Sequence, residues 1–267
     1  MISQSVKEMK VNHFEKNMIK PELEEFLSNN LSKIQNCIAR VLEQCSDPDR
    51  KVILVAVSKK QPLEKISALA RLGQTHFGEN YVQEAFSKME TLGDLNIRWH
   101  FIGGLQTNKA KYVAGNFVMV HSVDSLKLAQ ALHKKAQSAN IVQPVLIQVN
   151  LAGEKQKYGV LEKDLPALAR GILELPDLRL DGLMIMPPYF DDPERSKPFF
   201  AGLRRLKHDI EQQLGIRMPH LSMGMSGDFE VALKEGATII RIGELLMGPR
   251  TCLLGNRIHQ RLNPATG

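Results

Sequence analysis

Three short stretches of this sequence carry groups able to do chemistry. In the first, an apolar and β-branched run, Val52-Ile53-Leu54-Val55-Ala56-Val57, ends on Lys59 with only Ser58 between. Such a run reads as a strand buried on both faces. A lysine at its carboxyl end is either a rim charge reaching water or an amine held in a pocket. In a pocket the desolvated amine has a lowered pKa and can form a Schiff base with an aldehyde. The second stretch, Gly224-Met225-Ser226-Gly227-Asp228, separates a strand from the helix Phe229-Glu230-Val231-Ala232-Leu233. In the third, Arg241-Ile242-Gly243 precedes Glu244 and the short helix Leu245-Leu246-Met247. Backbone N–H groups at a helix start, uncovered by glycine and joined by a serine hydroxyl, make an anion site. The same glycines can instead serve only tight turns.

The elements between these stretches decide whether they meet. Strand-like runs fall at 52–58, 75–78, 98–103, 117–123, 144–150, 180–186, 220–225 and 238–243. Helical patterns fall between them, at 63–72, 80–91, 107–115, 124–138, 162–174, 194–214 and 228–236. Asp124 is the expected cap of helix 124–138, whose inner side carries Leu126, Leu128, Ala129, Leu132 and Ala136. Ahead of the first strand, Pro21 and the acids Glu22, Glu24 and Glu25 open a helix that runs to near Cys45. Its apolar stripe is Leu23, Leu27, Leu31, Ile34, Ile38 and Val41.

Eight strands with right-handed helical crossovers close into a (β/α)8 barrel, the expected fold. An open doubly wound sheet is the runner-up, weakened because no G-x-G-x-x-G follows the first strand. The expected organisation is a mobile or partly helical extension over residues 1–20 and one barrel domain over 21–267. Barrel sites sit where strands end, and phosphates often lie at the loops after strands seven and eight. Strand ends also supply Glu79-Asn80, Gly103-Gly104-Leu105-Gln106, Asn150 and Met186-Pro187-Pro188. A lysine amine across the mouth from a phosphate cradle is the anchoring pair of pyridoxal phosphate.

Composition narrows the classes. The formal net charge of +6 suits an anionic ligand, but the basic residues cluster only as pairs and aromatics make up 6%. A nucleic-acid partner is therefore not expected. No stretch approaches the roughly 18 uninterrupted apolar residues of a membrane span. The start of the chain lacks a signal-peptide core, and none of its 3 cysteines forms a CxxC pair. These features point to a reducing cytoplasm. His76, His100, His121 and His220 fall on or beside strands without H-x-H or HExxH spacing. They read as hydrogen-bonded core histidines, and no metal is expected. Glu79 and Asp228 lack a clear partner for paired-carboxylate work.

With these residues in view, the chain resembles the pyridoxal phosphate homeostasis family, whose barrel is of the alanine racemase N-terminal type. The resemblance is carried by Val55-Ala56-Val57-Ser58-Lys59, Phe77-Gly78-Glu79-Asn80-Tyr81-Val82-Gln83-Glu84 and Trp99-His100-Phe101-Ile102-Gly103. It continues through Leu105-Gln106-Thr107-Asn108-Lys109, Gly182-Leu183-Met184, Leu221-Ser222-Met223-Gly224-Met225-Ser226 and Arg241-Ile242-Gly243. It implies that Lys59, not Lys60, holds pyridoxal 5'-phosphate as an internal aldimine. It further implies that Ser226 and the backbone at Gly243 and Glu244 bind the phosphate. Arg241 would face the pyridine nitrogen, with Asn80 near the ring. Glu244 stands where the family usually has threonine, and Gly104 and Gly227 where proline and aspartate are more usual. The Glu244 side chain is expected to point away from the phosphate.

The resemblance implies a cytoplasmic, monomeric cofactor carrier serving vitamin B6 and amino-acid homeostasis, able to pass the cofactor transiently to apoenzymes. Alanine racemase takes its second acid/base, a tyrosine, from a further β domain, and about 24 residues follow Gly243 here. A cation at the pyridine nitrogen also weakens the electron sink that carbanion chemistry wants. Two rival readings use the same lysine: a slow racemase or other aldimine-dependent enzyme, and a phosphate-sugar aldolase without cofactor.

Overall fold

Eight parallel strands pair in chain order and close on themselves in the computed structural model, which describes residues 20–154 and 156–249. They are β1 (Ile53–Val57), β2 (His76–Glu79), β3 (Arg98–Phe101), β4 (Met119–Val123), β5 (Gln143–Val149), β6 (Leu178–Ile185), β7 (His220–Ser222) and β8 (Ile239–Ile242). The closing seam pairs Ile53 with Ile239 and Ala56 with Ile242. The expected (β/α)8 barrel is the fold observed. The expected extension at residues 1–20 lies, apart from Lys20, outside the described residues.

The helices are α1 (Pro21–Glu43), α2 (Leu63–Arg71), α3 (Val82–Thr91), α4 (Ala110–Val113), α5 (Leu126–Ser138), α6 (Leu165–Leu173), α7 (Lys197–Leu214), α8 (Phe229–Lys234) and α9 (Glu244–Met247). A single turn, α9 is too short to cover the seam between β8 and β1. The added N-terminal helix does so instead: α1 packs on α2, α8 and α9 through a stripe that buries Leu27, Leu31, Ile34 and Val41. Asn30 Nδ2 ties it to the Leu246 carbonyl at 3.1 Å. No helix among the described residues is long and apolar enough to cross a membrane.

Strand alternation splits the apolar residues into two layers. Leu54 and Ala56 of β1 join the layer between strands and helices, whereas Val55 joins Met119, Leu146, Met184 and Ile239 inside the barrel. That interior is not wholly apolar, since His100, His121, Ser222 and Arg241 are buried within it.

Local differences from the sequence reading have local causes. The cap of α5 is Ser125, one residue later than expected, its Oγ accepting the Leu128 N–H at 3.4 Å. The Asp124 carboxyl is instead half-buried and engaged by Ser125 and the Gly159 backbone; burial raises its pKa and those bonds oppose the rise. The expected strand 220–225 stops at Ser222 because the chain turns at Gly224, whose φ is +92° and where a Cβ would meet the Ala232 Cβ at 2.6 Å. Three expected helices begin as 3₁₀ turns, at Thr107–Lys109, Glu162–Asp164 and Pro193–Ser196.

Candidate functional site

At the mouth where the strands end, a cavity of about 380 Å³ opens. Its lining includes Lys59, Asn80, Ser226, Arg241, Gly243 and Glu244, so the structure brings together all six residues singled out in the sequence. Val57, Ile102 and Met186 supply apolar wall, and Pro187-Pro188-Tyr189-Phe190 form one rim. A volume in this range suits a small ligand.

Lys59 is half-buried and Lys60, the next residue, is exposed. The turn between them puts Lys60 at φ 57°, a left-handed conformation uncommon for a residue with a side chain. A buried charge cluster holds this turn on both sides. The Lys88 ammonium donates to the Ser58 carbonyl at 2.6 Å and to Glu79 Oε1 and Glu84 Oε1, each at 2.7 Å. Ser58 Oγ donates to Glu79 Oε1 at 2.7 Å, and Glu84 Oε1 accepts the Lys60 N–H. Glu79 is fully buried and its Oε2 has no partner among the described residues. Burial pushes its carboxyl up, opposed by Lys88 and Ser58. Glu79 thus has a cation for a partner, which the sequence reading lacked.

Asn80 follows β2, and its Oδ1 is buried with no partner among the described residues. An acceptor in that state beside a cavity fits a ligand donor or a bound water. Gly103 lets the next strand end approach: a Cβ there would sit 2.4 Å from the Asn80 carbonyl oxygen and 2.6 Å from its Cα. Both are backbone atoms that cannot swing aside. Gly103→Ala is therefore expected to destabilise the fold by about 1–3 kcal/mol, read as a lowered urea midpoint with unchanged slope. Asn150, also a strand-end residue, turns into its own loop, where its Nδ2 donates to the Glu154 carbonyl at 2.9 Å.

The two late loops meet as the turns suggested. Ser226 Oγ accepts the Leu245 N–H at 3.4 Å, joining the loop after β7 to the start of α9. Asp228 Oδ1 accepts the Met225 N–H at 2.7 Å and closes the β7 loop on itself. Glu244 opens α9 and is exposed at the cavity rim.

Arg241 has the most unusual surroundings. It is 3% exposed, yet among the described residues its guanidinium bonds only neutral oxygens, Ser222 Oγ at 2.7 Å and the Ile185 carbonyl at 2.9 Å. Burial lowers its pKa to about 10, which leaves it cationic at neutral pH, and Asp228 opposes that fall. Arg241 also lines the cavity. A buried cation without a carboxylate in contact calls for an acceptor or anion there.

Sequence reading missed the Lys88 cluster and the bonds behind Arg241. A signal for Lys88 exists: it stands three residues after the buried Ala85 on α3, on the stripe facing the core.

A closed (β/α)8 barrel with a lysine and two joined late loops around one mouth defines the class of protein by its fold and cavity. The family model for the alanine racemase N-terminal domain matches residues 30–251. The pyridoxal phosphate homeostasis protein of Aquifex aeolicus is 46% identical over 220 residues, 82% of this chain and 96% of the relative. Its counterpart in Pseudomonas aeruginosa is 41% identical over 224 residues, 84% of this chain and 96% of the relative. The solved structure of PipY from Synechococcus elongatus with pyridoxal phosphate bound superposes with a TM-score of 0.74 at 35% identity, covering 83% of this chain and all of PipY. This chain belongs to the pyridoxal phosphate homeostasis protein family.

Proposed function

We propose that this chain binds pyridoxal 5'-phosphate in the cavity between Lys59 and Ser226 and serves its homeostasis as a carrier rather than as an efficient enzyme. One observation carries the reading: a lysine amine, a buried guanidinium bonded to neutral oxygens and two loops joined through Ser226 share one cavity. Lys59 holds the cofactor's aldehyde carbon covalently. Ser226 and the backbone at Gly243 and Glu244 take the phosphate, and Asn80 lies beside the ring. Arg241 faces the pyridine nitrogen, its fixed positive charge disfavouring a proton there. The cofactor supplies an electron sink for carbanions, and a ring nitrogen kept unprotonated weakens that sink. Handover to apoenzymes by a cytoplasmic monomer completes the proposal.

Borohydride treatment of the protein loaded with pyridoxal phosphate tests it. The expected result is loss of the visible band and added mass on the peptide containing Lys59. Mass on another lysine, or none, overturns the assignment. Steady-state assays with amino acids address the carrier role, and sustained turnover abolished by Lys59→Ala would overturn it.

Glu244 offers a second test. A carboxylate near a phosphate dianion is repulsive, and threonine adds a hydroxyl donor. Glu244→Thr is expected to raise pyridoxal phosphate affinity by about fivefold at low salt. The gain shrinks as salt screens the exposed charge. Equilibrium dialysis at two ionic strengths reads both effects.

A further inference from the structure

Behind Arg241 a continuous column of hydrogen bonds runs through the barrel interior to the start of β2. Arg241 Nη1 donates to Ser222 Oγ at 2.7 Å, and Ser222 Oγ lies 2.9 Å from His121 Nδ1. His121 Nε2 lies 2.9 Å from His100 Nδ1, and His100 Nε2 lies 2.8 Å from His76 Nδ1. Ser222, His121 and His100 are at most 1% exposed, whereas His76 is partly exposed.

The direction of the protons follows from donor counting. Arg241 can only donate, so it occupies one lone pair of Ser222. The Ser222 hydroxyl then has one other partner among the described residues, His121 Nδ1, and donates to it. His121 must therefore carry its proton on Nε2 and donate to His100 Nδ1. By the same step His100 carries its proton on Nε2 and donates to His76 Nδ1. Every donor points away from the cavity, and every lone pair points back toward the guanidinium. Aligned bonds of this kind polarise one another in the same sense.

The groups facing the column oppose its protonation. Burial lowers His100 to about 3 and His121 well below its ordinary value. Burial also lowers His76 and His220; cationic Arg98 faces His76 and His100, and Arg241 faces His121. Opposite charge is distant: Asp181 acts on His220 and Asp228 on Arg241. A proton added at His76 Nδ1 would reverse each bond in turn and leave the Ser222 hydroxyl without an acceptor.

We propose that Ser222, His121, His100 and His76 are positioning residues whose single hydrogen-bond polarity holds the Arg241 guanidinium toward the ligand cavity. This deepens the function proposed above and rests on it for the identity of the ligand.

The test has two arms. Nitrogen-15 spectra of the histidines in the protein without cofactor are expected to show bare Nδ1 and protonated Nε2 on both His100 and His121. A protonated Nδ1 on His121 overturns the polarity. In the second arm pyridoxal phosphate is titrated by absorbance. Ser222→Ala is expected to weaken binding about tenfold, the usual cost of a hydrogen bond to a charged group, and to shift the visible band. His121→Leu should do the same. His121→Asn keeps an acceptor for the Ser222 hydroxyl and should stay within about threefold of the native protein. Equal binding and equal spectra for His121→Asn and His121→Leu overturn the positioning role. If the native protein binds no pyridoxal phosphate, the function proposed above fails, and the tautomer spectra alone decide the column.

Discussion

Lys88→Met is expected to destabilise the fold by about 3–5 kcal/mol at neutral pH, the cost of stranding one member of a buried ion pair. The side chains of Lys88 and Glu79 are 7% and 0% exposed, and their contact is 2.7 Å. Among the described residues, removing the ammonium leaves buried Glu79 with only the Ser58 hydroxyl, its Oε2 already unpartnered. The pH dependence has a definite sign. Burial already raises the Glu79 pKa from its ordinary 4.5, and loss of the opposing Lys88 raises it further. A carboxyl with a raised folded pKa favours the fold at low pH, and that advantage is lost as pH rises through the folded value. The stability gap between Lys88→Met and the native protein is therefore widest at mildly alkaline pH and narrows as pH falls toward 4.5.

Denaturant titrations across pH read this gap. The double variant Glu79→Gln with Lys88→Met should recover much of the loss, since neither charge is then stranded. Function should follow structure. Lys88 also grips the Ser58 carbonyl, and through Glu84 the Lys60 N–H, so the variant frees the turn on both sides of Lys59. Cofactor retention is expected to fall with stability. A pH-independent loss below about 1 kcal/mol, the range of a surface substitution, would show that the cluster does not organise this turn.

Lys59→Ala separates binding from folding. Lys59 is half-buried at a cavity rim, so its truncation is expected to change stability by no more than about 1 kcal/mol. Binding should suffer far more. Without the covalent anchor, affinity for pyridoxal phosphate is expected to fall on the order of 100-fold, roughly 2.7 kcal/mol. Residual binding would come from the Ser226 loop and Arg241. Lys59→Arg is the informative companion, because it keeps the charge but its guanidinium does not deprotonate in proteins. Both variants should lose the visible band while melting near the native temperature. Retention of the band by either, with affinity within threefold, would remove Lys59 from the site.

The positions lining the cavity were legible because of a property of parallel barrels. All eight strands end on one face, so linear position at the end of a strand already implies the common mouth. Lys59, Asn80, Ser226, Arg241 and Gly243 needed no knowledge of packing to be grouped. Helix starts were less legible. Asp124 and Ser125 are both good caps, and the choice fell to Ser125 because Asp124 is engaged by Ser125 and Gly159. The Gly159 contact comes from the loop after the neighbouring strand β5 and is invisible to a local pattern.

By itself, then, the sequence determined the alternation of strands and helices, the barrel class and the residues that line the cavity at its mouth. Those follow from periodicity and chain order. Only the tertiary structure decided what stands behind them. Lys88 became the clamp on the Lys59 turn because α3 lays it against Glu79 where both side chains are buried. Histidines 76, 100 and 121 became one column with Ser222 and Arg241 because closure of the barrel sets interior residues of different strands at hydrogen-bonding distance. His121 and Ser222 are 101 residues apart in the chain. Side-chain alternation says which residues face inward, but strand register and barrel closure say which of them touch.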